Sequence, residues 1–283
     1  MKERCIAIVL AAGQGKRMGG TVHKQYLDLG GKPILAHTLK VFEDSDLIDE
    51  VLLVTGADER GWVRKTIVEN YGFRKVTEII SGGKERYDSV WNGLQNIDQR
   101  EEKENTYVFI HDGARPFVND VMLQRAYKEV RQSKACVVGM PVKDTIRIVN
   151  ENLEAEETPE RKRLWMVQTP QAFHASLIIE AYRKMMVVQH DHVTDDAMAV
   201  ELMMQHPVKM VEGSYENIKI TNIYIMTNNN RTIHYIKITN MYITRDCACP
   251  LYDISSSNNK CFFINHFKGW INYIWKIYFF IGN

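Results

Sequence analysis

The segment Cys5–Leu10 is an unbroken apolar run that ends in the small-residue loop Ala11-Ala12-Gly13. A strand with no polar face has nothing to offer solvent, so it must be covered on both sides, as in a parallel sheet between helical layers. The rest of the first half fits that demand. Pro33–Phe42 reads as a helix with proline in its first turn, and Val51–Val54 as the next buried strand. Asp58–Tyr71 reads as a helix closed by Gly72, Ile79–Ile80 as the end of a short strand, and Arg86–Gln95 as a helix. Tyr107–Ile110 reads as a strand stopping at the turn His111-Asp112-Gly113, Asn119 as the cap of a helix reaching Gln132, and Ala135–Met140 as one more strand. The expected fold is therefore α/β, a doubly wound and mostly parallel sheet, with ligands beyond the carboxyl ends of its strands.

From about Val142 to Val167 the pattern breaks. Thr145–Val149 alternates like a half-exposed strand and Asn150–Arg163 is polar and charged, which suggests a β-arm outside the sheet. Regular order resumes with Asp195–Met204 as a helix, Val208–Val211 as a strand and Ile218–Ile220 as a last strand. Residues 1–221 thus read as one domain. Residues 222–283 turn abruptly to asparagine, isoleucine, tyrosine and threonine, a low-complexity composition that does not read as part of the same core. The aromatic segment Cys261–Gly282 is interrupted by His266, Lys268, Asn272 and Lys276, a poor fit to a membrane span.

A net charge of +1 with 25% charged residues lacks the basic excess of a nucleic-acid binder, so any phosphate site must be local. The five cysteines are odd in number, and Cys5 and Cys136 lie in apolar runs as small hydrophobes. A reducing, cytoplasmic setting without disulfides is expected, with Cys247, Cys249 and Cys261 unassigned. The N-terminal residues do not have the form of a signal peptide.

The first loop, Gly13-Gln14-Gly15-Lys16-Arg17-Met18-Gly19-Gly20, combines small residues that let backbone N–H groups approach a phosphate with two cations. A dinucleotide fold would want glycine where Met18 stands and an acid near Thr55 and Gly56. A Walker loop would want Ser or Thr where Arg17 stands. Neither pattern fits. His111 and His192 lack Cys or His partners at ligand spacing and read as ordinary polar side chains.

After this loop comes His23-Lys24-Gln25-Tyr26. The pair of motifs resembles the sugar-phosphate nucleotidyltransferases, in their cytidylyltransferase branch. Gly82-Gly83-Lys84-Glu85-Arg86-Tyr87-Asp88-Ser89-Val90, His111-Asp112-Gly113-Ala114-Arg115-Pro116, Pro141-Val142-Lys143-Asp144-Thr145, Leu164–Gln171, Thr194-Asp195-Asp196-Ala197 and Val211–Lys219 follow in order. Across Cys5–Thr221 they resemble the 2-C-methyl-D-erythritol 4-phosphate cytidylyltransferase family.

The resemblance implies transfer of CMP from CTP to a sugar-alcohol phosphate. It makes Arg17, Lys24 and Lys219 the catalytic cations, and Ala11, Ala12, Gly13, Gly15, Gly83, Lys84, Ser89 and Asp112 the CTP-binding positions. At Lys84 relatives often carry an acid. Arg115 is expected beside neighbouring carboxylates, and Mg2+ is expected to be held mainly by CTP phosphates with Asp112 nearby. Arg161 and Thr194 are implied for the acceptor phosphate, with Arg163 as an alternative to Arg161. The arm implies a homodimer. Ribitol 5-phosphate is the alternative acceptor, and a catalytically impaired CTP-binding homologue is the alternative of another class. No Thr-Pro-Glu-Asp-like cap follows Lys219, as relatives would have; Asn222-Ile223-Tyr224 stands there.

Overall fold

A computed structural model of the chain describes residues 3–13, 23–188 and 193–220, and the backbone of three further strands within 222–244. Gly15, Arg17, His192, Cys247, Cys249 and Cys261 lie outside the described residues. In chain order the elements are β1 (Arg4–Ala11), a small hairpin of β2 (Asp28–Leu29) and β3 (Lys32–Pro33), α1 (Ile34–Asp44), β4 (Glu50–Thr55) and α2 (Arg60–Val63), which continues through a π-helical turn at Arg64–Glu69. Next come β5 (Val76–Ser81), α3 (Arg86–Asp98), β6 (Thr106–Asp112), α4 (Asp120–Ser133) and β7 (Ala135–Pro141). The short strands β8 (Ile148–Val149) and β9 (Ala155–Glu157) precede β10 (Trp165–His174), α5 (Ala175–Met185), α6 (Asp196–Met204) and β11 (Lys209–Glu212). β12 (Asn222–Asn228), β13 (Arg231–Ile238) and β14 (Met241–Thr244) pair antiparallel in a sheet of their own.

The seven-stranded sheet has the order β11-β7-β10-β6-β1-β4-β5, and β10 alone runs antiparallel to its neighbours. β1 is central, as its composition requires. Cys5, Ala7, Val9 and Ala11 face the layer of α1, α2 and α4, where Leu35, Leu39, Phe42, Val63, Leu123 and Val130 are buried. Ile6 and Ile8 face the layer of α3, α5 and α6. Each large side chain so covered contributes roughly 1.5–3 kcal/mol. Local signals set the helix ends: the Asn119 side chain accepts from Met122 N at 3.0 Å to start α4, and Lys134 adopts φ 62° to end it.

Four expectations are corrected. Residues 218–220 are not a strand; that segment is held by the Ile220 N–H donating to Ala114 O at 2.9 Å. β6 does not stop at Ile110 but carries His111 and Asp112 inside the sheet. Between Val167 and Asp195, where no element is expected, stand β10 and α5. β10 escapes a hydrophobic pattern because Gln168, Thr169 and Gln171 are buried polar residues, paired with Ser214 O, His111 and Asp195 respectively. Trp165, Met166 and Val167 already pair with β7, so the segment outside the sheet narrows to the exposed β8–β9 hairpin and the turn Arg161–Arg163.

His111 ties β6 to β10. Asp112 N–H donates to Thr169 Oγ1 at 3.1 Å, Thr169 Oγ1 lies 3.0 Å from His111 Nδ1, and His111 Nε2 lies 3.1 Å from Arg115 O. The Arg115 carbonyl can only accept, so Nε2 carries a proton, and in the neutral ring Nδ1 accepts from the Thr169 hydroxyl. Burial pushes the His111 pKa down from 6.5 to about 4. A histidine held neutral contributes fully above its unfolded pKa and loses that contribution as pH falls toward the folded value. Between pH 6.5 and 4 the folded protein is expected to lose about 3 kcal/mol through His111. Urea unfolding at stepped pH should show a shallower acid loss for His111→Gln than for the parent; parallel curves would remove His111 as the cause.

Candidate active site

The carboxyl ends of the central strands meet on two adjacent rungs: Leu10 pairs with Asp112, and one residue on, Ala11 pairs with Thr55, which pairs with Ser81. From β1 the chain winds outward through β4 and β5, then returns to place β6 on the other side of β1. That reversal opens a crevice between the β1 and β6 ends, the usual ligand position in such sheets.

One wall is built from small residues. The Gly82 N–H donates to Thr55 O at 2.7 Å, and a Cβ on Gly82 would fall 2.2 Å from Ala12 Cβ and 2.9 Å from Ser89 Oγ. A Cβ on Gly83 would fall 2.1 Å from Asp88 Cβ. Glycine at both positions is thus a steric requirement for bringing Ala12 and the start of α3 together. The Gly83 N–H donates to Ser89 Oγ at 3.1 Å, and Ser89 Oγ donates to Glu85 O at 3.2 Å. Ala12, Gly83 and Ser89 therefore line one edge beside Ala11 at the end of β1, while Gly13 and Lys84 are exposed. Gly82 joins them as a contact that sequence reasoning did not single out.

The opposite wall is charged. Asp112 is 8% exposed; its Oδ2 lies 2.8 Å from Lys219 Nζ and 3.6 Å from Arg115 Nε, and its Oδ1 lies 3.6 Å from Arg86 Nε. Burial alone would raise its pKa, but Lys219, Arg86 and Arg115 outweigh it and hold the carboxyl well below the usual range. Lys219 owes its place to its neighbours. Arg115 Nη1 donates to Asn217 O at 2.9 Å, Asn217 Nδ2 donates to Thr169 O at 2.8 Å, and Ile220 is buried with Leu29 and Ile34.

Lys24 sits half-buried in the 3-10 turn Lys24–Tyr26. Gln25 Nε2 donates to Ala11 O at 2.6 Å, and Tyr26 Oη donates to Glu59 Oε2 at 3.0 Å while its ring meets Trp62 edge-on at 4.9 Å. The flanking residues thus lash the lysine-bearing turn to the end of β1 and to the segment after β4. Gln25 and Glu59 were legible only as part of a motif or not at all.

On the acceptor side, Thr194 is exposed just before α6, where Asp195 caps the helix by accepting from Met198 N at 2.9 Å and is gripped by Gln171 Nε2 at 3.0 Å. Arg161 is exposed and donates to Lys143 O at 3.0 Å, while Lys143 Nζ lies 3.6 Å over the Tyr215 ring. Neither Arg161 nor Arg163, on the same exposed turn, is joined to the Asp112 cluster among the described contacts. The described residues contain no group of three or more His, Cys, Asp or Glu side chains able to hold a metal ion. A lone carboxylate amid cations fits only an ion whose other ligands come with a substrate. A groove of about 690 Å³ lined by Lys134, His174, Arg183 and others lies at the opposite end of the sheet, away from the crevice residues.

The profile of 2-C-methyl-D-erythritol 4-phosphate cytidylyltransferase matches residues 5–230. The cytidylyltransferase of that name from Alkaliphilus oremlandii is 49% identical over 214 residues, 76% of this chain and 88% of that protein. The one from Lachnoclostridium phytofermentans is 46% identical over 219 residues, 77% and 91% of the two chains. The crystal structure of 4-diphosphocytidyl-2C-methyl-D-erythritol synthase from Anaerococcus prevotii superposes with a TM-score of 0.67 at 32% identity, covering 78% of this chain and 91% of that one. A crevice built from a small-residue wall and a cationic wall at the switch point of such a sheet agrees with these matches, and the chain belongs to the 2-C-methyl-D-erythritol 4-phosphate cytidylyltransferase family.

Proposed function

We infer that the chain transfers CMP from CTP to 2-C-methyl-D-erythritol 4-phosphate, releasing pyrophosphate and forming 4-diphosphocytidyl-2-C-methyl-D-erythritol for isoprenoid biosynthesis. The observation that carries this reading is the cationic group of Lys219, Arg86 and Arg115 around Asp112, facing the Ala12–Gly82–Ser89 wall. The wall supports pyrimidine selection by backbone groups, with Ala11, Ala12, Gly13, Gly15 and Gly83 close to the nucleotide and Lys84 at the rim. The Ser89 hydroxyl, already bonded to Gly83 and Glu85, supports the shape of that loop.

The acceptor phosphate monoester is largely ionised at pH 7, so its oxygen attacks the α-phosphorus without a general base. Catalysis then rests on holding two anions in line and stabilising charge on the five-coordinate phosphorus. Arg17, Lys24 and Lys219 are the residues proposed for that charge, with Arg161 and Thr194 for the acceptor phosphate. Asp112, ionised throughout the physiological range, is proposed to hold the nucleotide sugar and to stand near Mg2+, which would be held mainly by CTP phosphate oxygens. The ion would neutralise the triphosphate and ease departure of pyrophosphate. The need for CTP favours a cytoplasmic setting. No helix among the described residues is long and apolar enough to cross a membrane.

The exposed hairpin supports a homodimer in which Arg161 of one protomer serves its partner's site. Ile148 and Val149 are each 46% exposed and Leu153 is 82% exposed, an apolar edge suited to a second copy.

Lys24→Ala is expected to lower kcat roughly 100- to 1,000-fold, read as pyrophosphate release with CTP, Mg2+ and methylerythritol phosphate. Ribitol 5-phosphate run in parallel should give no release. Release with ribitol phosphate instead would reassign the acceptor, and silence with both from CTP-binding protein would mark a catalytically impaired homologue. Ile220→Ala should cost roughly 2–4 kcal/mol of stability and lower turnover more than Ile97→Ala, a core truncation in the other layer. Equal turnover in the two would detach Ile220 from Lys219. Light scattering should find a dimer that Ile148→Lys with Leu153→Lys converts to monomer; an unchanged mass would move the interface elsewhere.

A further inference from the structure

Helix α3 carries an arginine clamp at each end. Past its carboxyl end, Arg100 binds Glu50 with both nitrogens, Nη1 to Oε2 at 2.7 Å and Nη2 to Oε1 at 2.9 Å. At its amino end, Arg86 binds Asp196 in the same manner, Nη1 to Oδ1 at 2.8 Å and Nη2 to Oδ2 at 2.7 Å. The two clamps differ in what they connect. Arg100 joins structural residues far from the crevice. Arg86 follows directly on Gly82–Glu85, its Nε faces Asp112 at 3.6 Å, and Asp196 opens α6 two residues after Thr194. Arg86 therefore continues the nucleotide loop in the chain, while its guanidinium reaches both the carboxylate that pairs with Lys219 and Asp196 at the start of α6.

The far side of the clamp is rigid. Asp196 is fully buried, and its Oδ1 accepts from Tyr182 Oη at 2.5 Å. Its neighbours are fixed by Gln171, which donates to Asp195 and accepts from Ala197 N at 3.0 Å. A planar fork seated on such a carboxylate cannot rotate without breaking two charge-assisted bonds, so its Nε is aimed by Asp196.

We propose that Arg86 is a positioning residue that couples the two substrate sites, aligning the Gly82–Ser89 loop and Asp112 with the Thr194 segment through its clamp on Asp196. This rests on the cytidylyl-transfer reading above. A ligand that orders the loop thereby orders the acceptor segment, so each substrate should bind more tightly when the other is present.

The test uses Arg86→Lys, which keeps the charge and loses the fork, beside Arg100→Lys, the same change in the remote clamp. Arg86→Lys is expected to lower kcat/KM about 10- to 100-fold and to raise KM for CTP and for methylerythritol phosphate together. Arg100→Lys should lower the melting temperature and leave the kinetic constants as in the parent. Asp196→Asn, which retains the shape of the buried side chain, should repeat the Arg86→Lys pattern and serves should Arg86→Lys fail to fold. Identical kinetics for the Arg86 and Arg100 variants would overturn the proposal. If the parent turns over neither acceptor, CTP affinity by calorimetry decides: weaker binding in Arg86→Lys than in Arg100→Lys keeps the strut while the acceptor assignment falls, and equal binding rejects the strut.

Discussion

The Asp112 carboxylate lies at the end of a central strand, nearly out of solvent, where an unpaired charge would cost several kcal/mol. Its compensation organises the crevice. Lys219 comes from the segment after β11, Arg115 from the turn after β6 and Arg86 from the start of α3, so three distant stretches converge on one side chain. Each is braced in turn: Lys219 by the burial of Ile220, Arg115 by the Asn217 carbonyl and Arg86 by Asp196. The backbone of Asp112 is held as well, through Thr169 and the neutral His111 imidazole. A charged wall with every member tied at two points is preorganised, the condition under which electrostatic stabilisation is most effective.

What the sequence discloses and what it hides divide along a physical line. The strand Arg4–Ala11, the Asn119 cap and the glycine wall rest on requirements confined to a few residues, namely burial on both faces, an N-cap acceptor and space for a close approach. These are visible in one dimension. β10 is hidden because buried Gln168, Thr169 and Gln171 look like loop residues until their partners are known. α5 does carry a helical period in Ala175, Ile178, Ile179, Tyr182 and Met185, but it follows β10 directly and its start carries no side-chain cap as a local boundary signal.

The site shows the same division. Lys24, Lys219 and Asp112 stand out through motif order, and Asp112 and Lys219 are found 2.8 Å apart. Arg86 and Asp196 lie inside quoted motifs too, yet their pairing joins residues 110 apart in sequence, and no local pattern foretells it. Arg161 marks a different boundary. It stands on an exposed turn with its guanidinium on Lys143 O and, among the described contacts, does not join the Asp112 cluster, so its proposed role rests on motif order alone.

Charge balance explains how a nearly neutral chain can bind a triphosphate and a second phosphate. The whole sequence carries +1, but around the crevice the ion pairs of Arg86, Arg115 and Lys219 among the described residues run to Asp112 and Asp196. Asp196 is fully engaged by Arg86 and Tyr182, which leaves Asp112 as the carboxylate shared by the remaining cations. An arriving phosphate need not displace a strong ion pair from water; it competes with Asp112 for Lys219 in a partly desolvated crevice, where the more highly charged anion gains more. In the proposed reaction Lys219 would thus be held in position before substrate arrives and be transferable to it. The Lys219 side chain is 38% exposed against 12% for that of Asp112, so solvent reaches part of the cation while its carboxylate partner is covered.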